Sequence, residues 1–293
     1  MPEAKIGIIG GTGLYKMNSM TELEEAKIST PFGEPSDAIL LGKLAGVEVA
    51  FLPRHGKGHR ISPSELPVKA NIYALKSLGV ERIISVNTVG SLREEIKPLD
   101  LVIPEQLIDH TKGRESTYFT NGVVGHIAFA EPFCPVLSQS IFETAVKLGA
   151  KVHKGGTYLA MEGPQFSTKA ESKLYRSWGA DIVWMTALPE AKLAREAEIC
   201  YASIAVVTDY DCWHPGYESI TPEMILANLE KGVDTVKKIL ELVIASLPRK
   251  RDCGCATALK HAIITAPKYI PRKAREDLAL LIGKYLNEKK DVS

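Results

Sequence analysis

Short apolar runs rich in β-branched residues alternate with amphipathic segments along the chain. Runs of this kind, bounded by polar residues or glycine, are typical of buried β-strands. Ala45-Gly46 separates two of the runs, and this spacing predicts a hairpin. The strands predicted in this way are residues 5–9, 38–44, 47–52, 82–86, 154–160, 181–185 and 200–207.

Segments with helical signals lie between the predicted strands. Pro67 begins a helix that runs through Leu78, and Gly79 ends it, because proline suits the first helical turn and glycine the residue after the last. Thr168-Lys-Ala-Glu171 is a capping box, which predicts a helix up to Trp178. The other predicted helices are residues 135–148, about 188–198, one opened by Thr221-Pro222 and closed by Pro248, and at least one beyond Pro271.

The order of these elements predicts an α/β fold with a central mixed sheet and helices on both faces. The chain has 293 residues, which is enough for one large core, and no internal repeat divides it. We therefore expect a single domain over residues 1–293, with residues 248–293 as a helical extension within that domain.

Composition and charge exclude several classes of protein. The formal net charge is +1 and no long basic stripe is present, which argues against a nucleic-acid-binding protein. The chain contains no apolar run long enough for a membrane span. The N-terminus lacks the basic flank and apolar stretch of a signal peptide, and it predicts a first strand instead.

The cysteines of the chain point to a reducing compartment. They are too few and too scattered for a secreted disulfide scaffold, and their spacing does not match a zinc ribbon, so we expect a cytoplasmic location and no metal. The pair in Cys253-Gly254-Cys255 suggests a hyperthermophilic source, because cytoplasmic disulfides are mainly found there. The five residues are Cys134, Cys200, Cys212, Cys253 and Cys255.

Two acids directly follow the most strand-like run of the chain. Residues i and i+2 of an extended chain share a face, so Asp209 and Asp211 are predicted to point the same way at the carboxyl edge of the sheet, where open α/β folds bind ligands. A carboxyl group half removed from water stays protonated and offers one donor and one acceptor to a flat heterocycle. The equally weighted alternative is that Asp209 opens a turn that Asp211 caps.

Four other loops at predicted strand ends carry groups that bind anions. The glycines of residues 7–13 allow backbone N–H groups to surround an anion, and Thr12 adds a hydroxyl. Arg54 and His55 add a guanidinium fork and an imidazole. The pairs Asn87-Thr88 and Met185-Thr186 follow two further strands. Each loop could separately be a turn, but together they predict a site for one small anion.

The glycine-rich loop also suggests a different class of protein. A dinucleotide-binding pattern starting at Gly11 needs glycine where Lys16 stands, and no clear βαβ unit follows. A nucleotide-binding or redox module that uses this loop and the Cys253/Cys255 pair is therefore the disfavoured alternative. Such a module would not need phosphate.

Seven separated blocks of the sequence carry a family resemblance. Among them are Glu-Gly-Pro-Gln-Phe-Ser at 162–167 and Thr-Asp-Tyr-Asp-Cys-Trp at 208–213; the others are residues 5–14, 30–37, 54–56, 90–95 and 130–135. Together they resemble the 5′-methylthioadenosine phosphorylases of the trimeric-type purine nucleoside phosphorylase family. The resemblance implies a phosphorylase/hydrolase-like fold, a homotrimer or a dimer of trimers, and intrachain disulfides as in thermophilic relatives.

The resemblance also implies roles for individual residues. It assigns phosphate binding to Thr12, Arg54, His55, Asn87, Thr88 and Thr186, although relatives often have Thr-Ala at positions 87–88. It implies that Met185 contacts the ribose and that Phe166 and Ser167 bind the base. It assigns adenine recognition and catalysis to Asp209 and Asp211. It assigns the 5′ substituent to Pro222, Ile225, Leu226 and to His126 of a neighbouring subunit. Without the resemblance, Pro222, Ile225 and Leu226 would be an ordinary apolar helix face.

The activity implied is phosphate-dependent cleavage of the N-glycosidic bond of 5′-methylthioadenosine, with phosphate as co-substrate and no cofactor. Asp209 would donate a proton to N7 of the departing adenine. An acid that accepts from the 6-amino group would favour adenine over 6-oxo purines. The alternative within the family is a broader purine nucleoside phosphorylase acting on adenosine, inosine or guanosine, which would need a polar 5′ pocket.

Overall fold

Eleven strands form one mixed sheet in this computed structural model, which describes residues 4–14, 19–216 and 220–288. The strands are Ile6–Gly10 (β1), Thr21–Ala26 (β2), Ile39–Leu44 (β3), Val47–Pro53 (β4), Arg82–Ser91 (β5), Leu101–Ile103 (β6), Gln106–His110 (β7), Val152–Lys154 (β8), Thr157–Met161 (β9), Ile182–Trp184 (β10) and Cys200–Asp209 (β11). Their order is β2-β3-β4-β1-β5-β10-β9-β7, and β11 and β6 branch from β5 with β8 beyond them.

The centre of the sheet is parallel, and this determines where the functional loops meet. β1 pairs in parallel with β4 and β5, and β5 pairs in parallel with β11. All ten residues of β11 are buried, as expected for a strand covered on both faces. Since β1, β4, β5 and β11 run the same way, the loops after them emerge at one edge of the sheet.

Helices cover both faces of this sheet, so the predicted α/β architecture is confirmed. The helices α1 and α4 pack on one face with the C-terminal helix α7, whereas α2 and α5 pack on the other. The helices are Val68–Ser77 (α1), Pro135–Lys147 (α2), Lys169–Ser177 (α3), Ala187–Glu196 (α4), Pro222–Ser246 (α5), Arg272–Asp277 (α6) and Ala279–Glu288 (α7). Among the described helices, none combines the length and apolarity that crossing a membrane requires.

Three strands were not predicted, and one predicted strand is divided. β2 carries mostly exposed and charged residues, as protected edge strands do, while β6 and β7 are too short to stand out. The strand predicted over residues 154–160 is wrong as a single unit. Gly155 and Gly156 both have positive φ and turn the chain between β8 and β9, which then pair with different strands.

The C-terminal segment contributes to the same hydrophobic core as the sheet. Leu259, Ile282 and Tyr285 lie in the cluster that contains residues of α1 and α4. The carboxylate of buried Glu198, at the end of the α4 region, accepts a hydrogen bond from the Leu259 N–H. Residues 259–286 therefore pack onto the face of the sheet that α1 and α4 cover.

Candidate active site

A cavity of about 400 Å³ opens where the carboxyl ends of β1, β4 and β5 meet the segment after β10. It has a polar end, an aromatic wall and an apolar end formed by α5. The residues that line it are Gly11, Gly13, Leu14, Arg54, His55, His59, Pro63, Val86, Asn87, Thr88, Pro164, Phe166, Trp184, Met185, Thr186, Pro222, Ile225, Leu226, Leu229, Val233 and Val236.

Arg54 forms the base of the polar end, and its charge is already paired. Its guanidinium is only 2% exposed, and its Nε donates to Glu190 Oε1 at 2.5 Å. Nη2 donates to Ser85 Oγ, to Asn87 Oδ1 and to Glu190 Oε2. Nη1 donates to the Val86 carbonyl, and among the described residues this is its one acceptor. Of the five donors of Arg54, one Nη1–H therefore stays free for a ligand.

Glu190 neutralises the positive charge of Arg54 at the polar end of the cavity. Its carboxylate is 2% exposed and accepts from Arg54, Ser85 Oγ and Tyr201 Oη. A buried ion pair keeps its geometry only when the remaining lone pairs are also satisfied, and here they are. An anion in the cavity would thus be held by directed hydrogen bonds and one shared cation, without a surplus of positive charge.

His55 is a neutral imidazole of defined tautomer. Burial lowers the pKa of His55 to about 4, and the nearby Arg54 charge adds to the effect. Its Nδ1 lies 2.9 Å from the Ile61 carbonyl, which can only accept, so Nδ1 carries the proton. The ring stacks on His59 with centroids 4.2 Å apart. Nε2 of neutral His55 is therefore an acceptor, suited to a protonated oxygen of an anion.

Asn87 and Thr88 have different surroundings. The Asn87 side chain belongs to the hydrogen-bond network of Arg54, and Thr88 lines the cavity. Asn87 Oδ1 accepts from Arg54 Nη2 at 3.2 Å and from Thr186 Oγ1 at 3.4 Å, so this side chain supports the arginine. Thr88 is half-buried and lines the cavity together with Thr186. Thr12 begins a short 3₁₀ helix after β1, and its side chain lies outside the part of the chain that the structure describes.

Asp209 is a buried acid at the end of β11. It is 1% exposed, and burial raises its pKa to about 6. Thr208 Oγ1 donates to Asp209 Oδ2 at 2.8 Å, and the Asp211 N–H donates to Oδ1 at 2.8 Å. Asp209 therefore does open a turn, as the alternative interpretation proposed, and it remains protonated at a higher pH than an exposed aspartate.

Asp211 does not follow the alternation expected of a strand. The strand ends at Asp209, and Asp211 has φ 50° in the 3₁₀ helix Asp211–Trp213, so the argument that the two side chains share a strand face is wrong. Burial raises the pKa of Asp211. Its Oδ2 is buried and makes no hydrogen bond of ordinary geometry to a described residue, although the Ser172 and Ser167 side chains lie near the carboxylate, so this oxygen is available to a ligand donor.

The acids lie beside the cavity, next to the segment predicted to bind the base. Neither Asp209 nor Asp211 belongs to the described cavity lining. A Cβ on Gly90 would lie 2.8 Å from Asp209 Oδ1, so glycine is needed for this close packing. Cys212 Sγ donates to the Ser167 carbonyl at 3.2 Å, which joins the acidic turn to the Phe166-Ser167 segment.

Aromatic and thioether side chains form the wall between the two ends. Phe166 and Trp184 lie with ring centroids 6.0 Å apart, and Met185 is 3% exposed. Gly163 has positive φ, and a Cβ there would collide with Met185 Sδ, so this glycine lets Met185 reach the wall. Ser167 Oγ donates to Met161 Sδ at 3.4 Å and is half-buried.

The first turns of α5 supply the apolar end of the cavity. Thr221 caps the helix by accepting from the Met224 N–H, and Pro222 occupies the first turn. Ile225 is 7% exposed and Leu226 is 46% exposed. Pro222, Ile225 and Leu226 all line the cavity, and Leu229 and Val233 continue this apolar surface.

His126 lies outside the cavity of its own chain. Its side chain is exposed, and its backbone N–H donates to the Ala262 carbonyl of the C-terminal segment at 2.8 Å. The assignment of His126 to the site of a neighbouring subunit stays a prediction.

Several residues of the site gave no signal in the sequence. Glu190 lies in an ordinary helical stretch, Trp184 reads as a strand residue, and Ser85 lies inside β5. His59 belongs to the basic loop and could have been selected with His55. Leu229 and Val233 extend the helical spacing of Ile225 and could have been found from it.

The implied disulfides are absent: all five cysteines are free thiols. The view that the cysteines are scattered is also wrong in three dimensions. Four of them, Cys134, Cys200, Cys253 and Cys255, bring their Sγ atoms within 4.8 Å of one another.

The fold and the cavity agree with one class of protein. The profile of the phosphorylase superfamily matches residues 5–245, so the chain belongs to this superfamily. A methylthioadenosine phosphorylase from an Antarctic soil metagenomic library is 47% identical, covers 96% of this chain and 99% of its own, and superposes with a TM-score of 0.91. The methylthioadenosine phosphorylase of Schistosoma mansoni in complex with adenine is 35% identical, covers 96% and 98%, and has a TM-score of 0.82.

Curated relatives define the family more closely. The S-methyl-5′-thioadenosine phosphorylase of Koribacter versatilis is 52% identical over 288 residues, which cover 98% of this chain and 99% of that relative. The enzyme of the same description from Thermofilum pendens is 50% identical over 264 residues, covering 90% and 100%. The chain is thus a member of the S-methyl-5′-thioadenosine phosphorylase family, and the resemblance seen in the sequence is confirmed.

Proposed function

We propose that the chain catalyses the phosphate-dependent cleavage of S-methyl-5′-thioadenosine to adenine and 5-methylthioribose 1-phosphate. One observation carries the proposal: a single cavity joins a hydrogen-bonding polar end to an apolar end, and two buried acids lie beside its aromatic wall. These parts correspond to phosphate, a methylthio group and an aminopurine. The relatives named S-methyl-5′-thioadenosine phosphorylase support the same substrate.

Phosphate would bind at the polar end. The free Nη1–H of Arg54 and the hydroxyl of Thr88 would donate to phosphate, and the hydroxyl of Thr186 would donate after it turns away from Asn87 Oδ1. Nε2 of neutral His55 would accept from a protonated phosphate oxygen. Thr12 and the backbone of Gly11 and Gly13 would complete the cradle. Asn87 would act by orienting Arg54. Bound phosphate would stabilise positive charge on the sugar and then attack C1′.

The base would lie against Phe166 and the segment that ends in Ser167. Asp209 would donate its proton to N7 as the C1′–N9 bond breaks, so that adenine leaves as a neutral molecule. With a pKa of about 6, Asp209 is protonated in roughly one chain in ten at pH 7, and a bound purine that excludes water increases that fraction. The unpartnered Oδ2 of Asp211 would accept from the 6-amino group.

The sugar and its 5′ substituent would occupy the remaining wall. Met185 would lie against the ribose, and Pro222, Ile225 and Leu226 would surround the methylthio group. A hydroxyl placed against these side chains would lose hydrogen bonds to water without replacement. This apolar end supports 5′-methylthioadenosine over the broader set of nucleosides with a free 5′-hydroxyl.

The assembly and setting follow from the same proposal. We expect a homo-oligomer, a trimer or a dimer of trimers, in which His126 completes the 5′ end of a neighbouring site. We also expect one domain that includes the C-terminal segment from residue 248, and activity in the cytoplasm. The free thiols support a reducing compartment. Phosphate is the co-substrate, and the proposed chemistry needs no cofactor.

Product release under defined phosphate concentrations tests the proposal. The chain is incubated with 5′-methylthioadenosine, adenosine or inosine, with and without phosphate, and free base is quantified by chromatography. We expect adenine release that requires phosphate and a higher kcat/KM for 5′-methylthioadenosine than for the other two. Base release without phosphate, or a preference for inosine, would refute it.

Asp209→Asn tests the role of the acid in that reaction. The amide cannot donate a proton to N7 as an acid, so we expect kcat/KM to fall by about 10²- to 10⁴-fold. Asp234→Asn is the matched control, because Asp234 is an exposed acid on α5 with 82% of its side chain accessible. An unchanged kcat/KM in Asp209→Asn would contradict general-acid catalysis by this residue.

A further inference from the structure

Four cysteines from three separate parts of the chain meet at one point. Cys134 precedes α2, Cys200 is the first residue of β11, and Cys253 and Cys255 flank Gly254 at the start of the C-terminal segment. Their four Sγ atoms lie within 4.8 Å of one another, and those of Cys200 and Cys253 are 3.4 Å apart.

The spacing of the sulfur atoms matches a metal site. Zn–S bonds of about 2.3 Å in a tetrahedral arrangement place the sulfurs about 3.8 Å apart. A disulfide would instead require a pair at about 2.0 Å. Tetrahedral sets of four thiolates are typical of zinc and of iron–sulfur centres, whereas magnesium, calcium and manganese prefer oxygen ligands. We propose that Cys134, Cys200, Cys253 and Cys255 bind one Zn²⁺ ion.

The surroundings favour bound thiolates over free thiols. Cys134, Cys200 and Cys255 are at most 3% exposed and lie in the apolar cluster of α2 and α5, whereas Cys253 is half-buried and gives access to an incoming ion. Cys134 is the N-cap residue of α2, so its sulfur lies at the positive end of that helix. This position favours a negatively charged thiolate over a neutral thiol. On binding Zn²⁺ the thiols release their protons to solvent.

Two arginines hold the backbone next to the cluster. Arg82 Nη2 donates to the Pro248 carbonyl at 2.7 Å, and Arg251 Nη1 donates to the Glu198 carbonyl at 2.8 Å. The Cys200 N–H donates to the Glu81 carbonyl. The stretch that leads into Cys253 is thus fixed against the amino ends of β5 and β11 independently of any metal. A site that is largely formed beforehand needs little rearrangement to bind an ion.

The position of the cluster indicates a structural role. Cys200 begins β11 and Asp209 ends it, and a strand rises about 3.3 Å per residue, so the cluster lies about 30 Å from the acid. Zinc with four protein ligands has no open position for a substrate. Bound Zn²⁺ would connect the C-terminal segment to the sheet and to α2.

Metal analysis of the intact chain tests the site. The protein is purified with a reducing agent, freed of metal with a chelator and titrated with Zn²⁺ alone. Bound zinc is then quantified by inductively coupled plasma mass spectrometry. We expect one zinc per chain and a Tm that rises with free zinc, because an ion that binds only the folded state stabilises it. Replacement by Co²⁺ should give the visible absorption bands of tetrahedral tetrathiolate cobalt.

Single-cysteine variants identify the ligands. Cys253→Ser is chosen because this residue is half-buried and its substitution least affects the core. We expect its zinc affinity to fall by more than about 100-fold, because the loss of a supporting hydrogen bond alone costs about 10- to 100-fold. Cys212→Ser is the matched control, since Cys212 lies outside the cluster, and it should keep one zinc per chain.

Three results would overturn the proposal. The first is equal zinc binding by the wild type and by a double Cys253→Ser and Cys255→Ser variant. The second is disulfide pairing among the four residues in peptides mapped without reduction, with no zinc bound to the reduced chain. The third is stoichiometric iron in place of zinc. None of these results depends on which nucleoside the enzyme cleaves.

Discussion

At the scale of single residues, the buried acid Asp209, which we propose as the general acid, reduces the stability of the fold at neutral pH. The unfolded chain releases the Asp209 proton near its ordinary pKa of 3.8, whereas the folded chain holds it until about pH 6. The free energy of unfolding therefore decreases as pH rises through this window. The full cost is reached above the folded pKa and amounts to about 3 kcal/mol.

Asp209→Asn should therefore stabilise the protein at high pH while it reduces activity. The amide keeps the Oδ1 acceptor for the Asp211 N–H and can donate to Thr208 Oγ1, whose hydroxyl then donates to the Val89 carbonyl. We expect a gain in the free energy of unfolding of about 1–3 kcal/mol at pH 8 that shrinks towards pH 4. Urea unfolding across this range measures it. A loss at pH 8, or a gain independent of pH, would contradict the burial argument.

Single polar residues could be predicted from the sequence only where they follow strands. Arg54, Asn87, Thr88, Thr186 and Asp209 were selected because each lies just after a predicted strand, although β5 in fact continues to Ser91 and β10 runs antiparallel to it. Their partners could not be selected in this way. Glu190 binds Arg54 across 136 positions of the chain, and nothing local distinguishes it from an exposed helical glutamate. The pairing depends on tertiary packing alone.

At the scale of elements, we expect the first turns of α5 to determine which 5′ group fits, because their apolar side chains line one end of the cavity. Ile225→Thr keeps the β-branched shape and adds a hydroxyl beside the proposed methylthio position. A change of this size in an apolar pocket is worth about 1–3 kcal/mol. We expect the ratio of kcat/KM for 5′-methylthioadenosine to that for adenosine to fall about tenfold, measured by initial rates on both nucleosides.

A second substitution on the same helix separates a direct effect of Ile225→Thr on 5′-group selectivity from a general effect of lower helix propensity. Leu242 is 50% exposed and lies in the same helix outside the cavity lining. Leu242→Thr loses at least as much helix propensity as Ile225→Thr, because leucine is a better helix former than isoleucine. Its selectivity should equal that of the wild type. If both variants change the ratio equally, Ile225 has no direct role in reading the 5′ group.

Elements with strong local signals were predicted well, and weak ones were missed for physical reasons. The capping box at Thr168 is present, with its side chain accepting from the Glu171 N–H. The helix opened by Thr221-Pro222 runs to Ser246, just before Pro248. By contrast, β2 carries mostly charged residues and β6 has only three residues, so neither gives a strand pattern in the sequence. Pairing with neighbouring strands keeps both of them extended.

At the scale of the whole molecule, the sheet separates two kinds of chemistry. The carboxyl edge carries the cavity and the acids, while the amino ends of β5 and β11 carry the four thiols. The fold class was predictable because alternating strands and helices leave few architectures. The thiol cluster was not, since its members come from positions 134, 200, 253 and 255 and meet only after the sheet and the C-terminal segment pack together.

The C-terminal segment also presents His126 on the outside of its own subunit. The Gly125–Ile263 bridge and the bond from His126 to Ala262 hold this loop on that segment, with the imidazole exposed. If His126 completes a neighbouring site, His126→Ala and Asp209→Asn damage different sites in a mixed oligomer. A trimer that contains both variants then has about one site in three with both residues intact.

Mixed oligomers therefore test the assembly directly. The two variants are produced together with different tags, and oligomers that carry both tags are purified. We expect His126→Ala alone to raise KM for the nucleoside and Asp209→Asn alone to lower kcat. The mixture should recover about a third of the wild-type kcat/KM, because a histidine from one subunit serves the acid of the next. Activity no greater than the average of the two parents would mean that His126 does not reach a neighbouring cavity.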